Sequence, residues 1–117
     1  MKIIKNNETI YSNCILAKTL WQKLIGKTFS DNACLLENCN SIHTIFMNKA
    51  IDIVFIDING VVIKIIENLP CRSVVFPVKN AKHVIEFNAG FIKSAKINLG
   101  DILSFEEWKK KFQLKSV

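Results

Sequence analysis

The stretch Ile51-Asp-Ile-Val-Phe-Ile-Asp57-Ile-Asn-Gly60-Val-Val-Ile-Lys-Ile-Ile-Glu67 decides the fold. Two runs rich in β-branched and aromatic residues flank Asn59-Gly60, and this pattern predicts an antiparallel hairpin. Two registers compete. A two-residue Asn59-Gly60 turn sets Asp52 opposite Glu67, where like charges need a metal, a shared proton or a salt bridge to Arg72. A three-residue loop, Ile58-Asn59-Gly60, makes Asp57 the first residue of a type I turn and Gly60 a left-handed bulge residue. The longer loop is favoured because each turn position then holds a suitable residue. It pairs Phe55 with Ile63 and Ile53 with Ile65, and moves Asp52 and Glu67 out of line.

Both faces of this hairpin are apolar in either register, so it must be covered on both sides. The expected class is α+β: a mostly antiparallel β sheet or small barrel-like domain with a central hairpin and short peripheral helices. Further strands are expected within residues 9–16, at Cys34–Glu37, at His43–Met47 and at His83–Phe87, with a looser segment at Ser73–Phe76. Thr19-Leu-Trp-Gln22 fits a capping box opening a short helix, and Phe91–Lys96 fits a helical turn. Ser104-Phe-Glu-Glu107 is a second capping box, with Phe105, Trp108 and Phe112 on one face. It predicts a C-terminal helix over about 104–114 that docks on the sheet.

The chain has 117 residues, half of them hydrophobic, which fits one domain over 1–117 with its own core. No apolar run approaches the ~20 residues of a membrane span. The N-terminal segment turns polar after two isoleucines, so a cytoplasmic protein without membrane association is expected. The net charge of +6 is spread along the chain: six lysines against three acids in residues 1–50, six bases against four acids in 51–100, and four against three after that. A nucleic-acid footprint is usually clustered, so nucleic acid is disfavoured as a partner. Arg72 is the lone arginine among sixteen basic residues. Its planar fork suits a structural pair with a carboxylate or, less readily, an anion.

The four cysteines, Cys14, Cys34, Cys39 and Cys71, lack CxxC spacing and are expected to be buried free thiols. Cys34, Cys39 and His43 raise the question of zinc. Their spacing is not that of a finger or ribbon and no fourth ligand is obvious, so neither metal nor cofactor is expected. A Cys39–His43 nucleophile pair is the enzymatic reading. On one extended strand the two would lie about 13 Å apart, too far to touch, unless the chain turns at Asn38–Ser41.

Several motifs together resemble one family. They are Cys39-x-Ser-Ile-His-Thr-x-Phe-Met47, Ile51-Asp-Ile-Val-Phe-Ile-Asp-x-Asn-Gly-Val-Val62, Leu69-Pro-x-Arg72, Val84-Ile-Glu-Phe-x-Ala-Gly90 and Gly100-Asp101. The chain from about 14 to 103 is similar to the bacterial and archaeal family called domain of unknown function 192, or uncharacterised protein family 0127. Leu24-Ile-Gly-Lys27 resembles a family Leu-Met-Gly-Arg segment, with lysine replacing arginine, and Phe87-Asn88 stands where many members have Leu-Pro. The resemblance implies a compact, mostly antiparallel β domain with short helices, and no reaction.

His43, Thr44, Asp52, Arg72 and Glu86 are polar residues set in apolar strands, and buried polar groups must find partners. With Cys39 they form the candidate set. They either pin strands together or converge on a pocket, whereas His83 is expected at the surface or a strand edge. No nucleophile–base–orienter set can be assembled from them. The expected function is therefore a non-catalytic module binding a small molecule or a protein. The alternative is a small cysteine/histidine-dependent or metal-assisted hydrolase-like enzyme.

Overall fold

The computed structural model describes residues 1–17, 32–45 and 47–106. Its centre is the expected hairpin, β6 (Ile51–Ile56) and β7 (Val62–Leu69). The turn is the three-residue loop. Asp57 N–H donates to Val61 C=O (3.0 Å) and Gly60 N–H to Asp57 C=O (3.0 Å). Asp57 Oδ1 accepts the amides of Asn59 and Val61, both at 2.9 Å, and Gly60 has φ +82°. Asp57 is thus the turn's cap.

Beyond the turn the register departs from expectation. Phe55 pairs with Lys64 and Ile53 with Ile66, in place of Ile63 and Ile65. The cause is an extra residue on β7 at Ile63, a bulge that bends and twists the edge strand. The slip places Ile65 with Val54 against one core and Ile66 with Ile53 against the other. A second bulge follows, because the next pair is Ile51 with Leu69. Asn68 there has φ +55°.

Four more strands precede the hairpin: β1 (Lys2–Lys5), β2 (Glu8–Tyr11), β3 (Ile15–Ala17) and β4 (Cys34–Leu36). The short β5 (Ile42–His43) follows β4. After the hairpin come β8 (Val74–Val75), β9 (His83–Asn88), the one-turn helix α1 (Phe91–Ser94) and β10 (Leu103–Glu106). The central sheet runs β3-β4-β9-β6-β7 and is mixed, since β3 and β4 are parallel while its other pairs are antiparallel. It stays open, because β3 and β7 do not pair with each other. The barrel-like option is thereby replaced by an open sheet.

Both faces of that sheet are covered, as the apolar hairpin demands. On one side the sheet β10-β1-β2 packs Ile3 and Leu103 against Val54, Ile56, Ile85 and Phe87. Phe87 stacks on Phe91 (4.5 Å between ring centres) and Tyr11 meets both edge-on. On the other side the ribbon β5-β8 packs Ile42 and Val75 against Ile51, Ile53, Phe55 and Val84. Burying side chains of this size stabilises the fold by roughly 1.5–3 kcal/mol each before chain entropy is counted.

Strand pairing overrides the second capping box. Ser104-Phe-Glu106 is β10, paired with Ile4, Ile3 and Lys2, and not the first turn of a helix. Alternation turns Leu103 and Phe105 toward the Ile3 core, and this long-range burial outweighs a local cap. The rest of the expected C-terminal helix lies outside the described residues, as do the Thr19–Gln22 capping box and Leu24–Lys27. The strand expected within residues 9–16 is split at Ser12–Cys14 into β2 and β3, and β1 had no expectation attached to it. Among the described residues α1 is the only helix, and none is long and apolar enough to cross a membrane.

Candidate functional site

Asp52 is fully buried near the start of β6, on the face of Val54 and Phe87. A carboxylate there must find donors, and it finds three backbone amides. Asn68 N–H donates to Oδ1 at 2.8 Å, and Gly90 and Ile92 N–H both donate to Oδ2 at 3.0 Å. The first closes the second bulge of β7, where the ladder would otherwise lose a bond. The other two tie the start of α1 to the sheet. Both oxygens are thus used in holding backbone together, and Glu67 stands exposed on β7 and takes no part.

Thr44, also fully buried, does the same for the segment between β7 and β8. Its hydroxyl donates to Pro70 C=O (2.8 Å) and accepts Ser73 N–H (2.8 Å). Its own N–H donates to Ser73 C=O (2.8 Å), and its C=O accepts Arg72 N–H (2.8 Å). Arg72 is held at φ +61° with its side chain exposed. It forms no ion pair with a described carboxylate, so the expected structural Arg–carboxylate pair is absent among the described residues. Asp52 at Asn68 and Thr44 at Pro70–Ser73 are consecutive anchors of one connection.

The remaining candidates are dispersed. Glu86 is buried in β9 beside Ile53 and Cys34, on the sheet face opposite Asp52. Cys39 is half-buried in the β4–β5 connection. Its amide donates to Lys82 C=O (3.0 Å) and its thiol to Ser41 C=O (2.9 Å). His43 lies in β5 opposite Val74. His83 Nδ1 accepts the Asn38 amide at 3.1 Å, which gives His83 a structural role beside the left-handed Asn38. Among the described residues, no group of three or more His, Cys, Asp or Glu is placed to hold a metal ion.

All four cysteines are free. Cys14 and Cys34 are buried as expected, but Cys71 is exposed, because the segment that Thr44 anchors runs along the surface. Burial pushes the Cys14 thiol up to about 12, against smaller opposing effects of the positive N-terminus and the Leu35 backbone. It is a core residue.

A different surface emerges around the ribbon β5-β8. In its register, Ile42 faces Val75 and His43 faces Val74. Ile42 and Val75 turn inward, so alternation within the two short strands directs His43 and Val74 outward, while Ile45, Arg72 and Phe76 lie in the turns and chain just beyond their ends. Three of them are large apolar residues left exposed: Phe76 at 79%, Val74 at 57% and Ile45 at 52%. Their exposure runs against expectation, because an apolar residue in or beside a strand is ordinarily core. A signal was present: Ser73–Phe76 has no alternation and ends at Pro77, as a surface-running edge would.

The fold and these anchors define a small, mostly β domain with one open sheet covered on both faces. The chain belongs to the DUF192 family (Uncharacterized ACR), whose model matches residues 3–105. It is 35% identical over 68 residues to a UPF0127 protein of Pyrococcus furiosus and 41% identical over 61 residues to one of Pyrococcus abyssi. These matches cover 58% and 52% of this chain, and 55% and 51% of the relatives, so the chain spans about half the length of each. Among solved structures, a Sinorhizobium meliloti 1021 protein provisionally described as a transcription regulator superposes with TM-score 0.74 at 22% identity, covering 88% of this chain and 89% of that one. A Novosphingobium aromaticivorans protein of unknown function gives TM-score 0.68 at 19% identity, covering 79% of this chain and 74% of its own. At these identities the likeness is one of fold.

Proposed function

We propose that this chain is a non-catalytic protein-binding module that works through the outer face of the β5-β8 ribbon. The observation that carries this reading is the exposure of Ile45, Val74 and Phe76 on that face. Single exposed apolar residues are ordinary on a soluble domain, but several brought together by strand register mark an interaction surface. Aromatic anchors and arginine are the residue types that dominate such surfaces, and Phe76 and Arg72 stand two residues to either side of Val74, both exposed. Asp52 and Thr44, which sequence offered as site residues, serve instead as the scaffold that fixes the face. Catalysis is not favoured, because the polar candidates are spread over both sheet faces and the loops.

Photo-cross-linking from within the native cells tests the reading. A benzophenone amino acid at position 45 or 76 is expected to trap a discrete protein, and the same group at Lys64 or Lys93 is not. Equal yields from all four positions would contradict a dedicated face.

A further inference from the structure

The ribbon offers more than apolar side chains. Thr44 N–H reaches Ser73 C=O in a bond that flanks the His43–Val74 pair, while Ser73 N–H turns to the Thr44 hydroxyl. The pairing alternates, which makes His43–Val74 a non-hydrogen-bonded pair with backbone groups directed outward. On the β8 side this directs the N–H and C=O of Val74 away from β5, and Phe76 follows just past the end of the strand. Among the described residues no backbone group outside the ribbon pairs with either. Pro77 then ends the edge, having no N–H to offer.

The chain that carries this edge holds charge of one sign. From Asn68 to Ile85 there is no acidic residue, while Arg72, Lys79 and Lys82 are all exposed. Lysines and arginine beside exposed apolar side chains complement a partner that alternates acidic and large apolar residues. An edge whose Val74 amide and carbonyl face outward complements an extended chain, which adds as a strand.

Resting on the proposed function, we infer that the partner presents an extended acidic segment. The segment pairs with the outer edge of β8, its apolar side chains lie against Val74, Phe76 and Ile45, and its carboxylates meet Arg72, Lys79 and Lys82. An anionic membrane or a single-stranded nucleic acid would also be drawn to basic residues beside Phe76, but neither uses the strand edge. The three exposed bases are moreover few for a surface held by charge alone.

Selection from a displayed library of random octapeptides against the full-length chain tests this, with Phe76→Ser as the counter-selection. The expected result is enrichment of sequences alternating Asp or Glu with large apolar residues. Their synthetic forms should bind about tenfold more weakly to Arg72→Glu or Lys82→Glu, and more weakly as salt rises. N-methylation of alternate peptide amides, which removes strand pairing, should abolish binding. Phe76-dependent peptides with no acidic bias would overturn the inference and leave the docking face standing. So would tight retention on equimolar phosphatidylcholine–phosphatidylglycerol vesicles or on oligothymidine with no peptide enriched. Failure of both this selection and the cross-linking from position 76 would overturn the face itself.

Discussion

The Asn68 amide donates to Asp52 Oδ1 at 2.8 Å across the bulge where β7 leaves its partner strand. Asp52 is fully buried and Asn68 takes φ +55°. The buried charge is therefore tied to a distortion: the bulge frees an amide from the ladder, and the carboxylate takes it. With Gly90 and Ile92 on the other oxygen, one side chain joins the edge strand β7, its neighbour β6 and α1.

Replacing Asp52 tests that assignment. Asp52→Ala leaves three amides without their acceptor and is expected to cost about 3 kcal/mol or more, since a buried group deprived of its partner pays its full desolvation penalty. Asp52→Asn keeps one acceptor oxygen and turns an NH2 toward a backbone N–H, so it should cost less. Urea unfolding measures both. A loss within about 0.5 kcal/mol for Asp52→Ala would show that the carboxylate is not a scaffold element.

Thr44→Val keeps the shape but removes the hydroxyl shared by Pro70 and Ser73. The expected loss is about 1–3 kcal/mol, with Thr44→Ser recovering most of it. Amide hydrogen exchange should quicken at Arg72 and Ser73 in the valine variant and stay unchanged at Val84 and Ile85, deep in the sheet.

Gly60 is needed for two reasons that combine. Its φ is +82°, and a Cβ there would run into the carbonyl oxygen of Leu103, whose own amide donates to Gly60 C=O at 2.8 Å. Gly60→Ala is expected to cost more than the roughly 1 kcal/mol of left-handed strain alone, because β10 must move as well. Thermal unfolding measures the loss.

Cys14 gives a pH dependence of defined sign. Its folded value, about 12, lies above the ordinary 9.0. Below pH 9 both states keep the proton and the group contributes no slope. Between about 9 and 12 the unfolded chain ionises and the folded one does not, so stability falls as pH rises. Cys14→Ala should flatten that alkaline limb when unfolding midpoints are compared. In native protein, Cys71 should react first with a thiol reagent and Cys14 last.

The hairpin, its three-residue turn and the role of Asp57 were legible in the sequence, because local turn chemistry dictates them. The bulge at Ile63 was not, since it arises where two cores compete for Ile65 and Ile66, nor was that at Asn68, whose amide depends on a carboxylate sixteen residues away. β10 was hidden behind a capping box, because pairing with β1 is a contact between the two ends of the described chain. The polar set was legible as buried groups needing partners. That Asp52 would find its partners at Asn68, Gly90 and Ile92 depends on the bulge of β7 and the placement of α1, and that Val74 would face outward depends on how β5 and β8 pair.

Cross-linking from position 76, compared in wild-type, Val74→Ser and Asp52→Asn backgrounds under conditions where all are folded, tests the central claim most directly. The account predicts one trapped protein whose yield falls severalfold with Val74→Ser and is unchanged with Asp52→Asn. A yield that falls with Asp52→Asn and is indifferent to Val74→Ser would contradict it, placing the working surface at the carboxylate instead of on the ribbon.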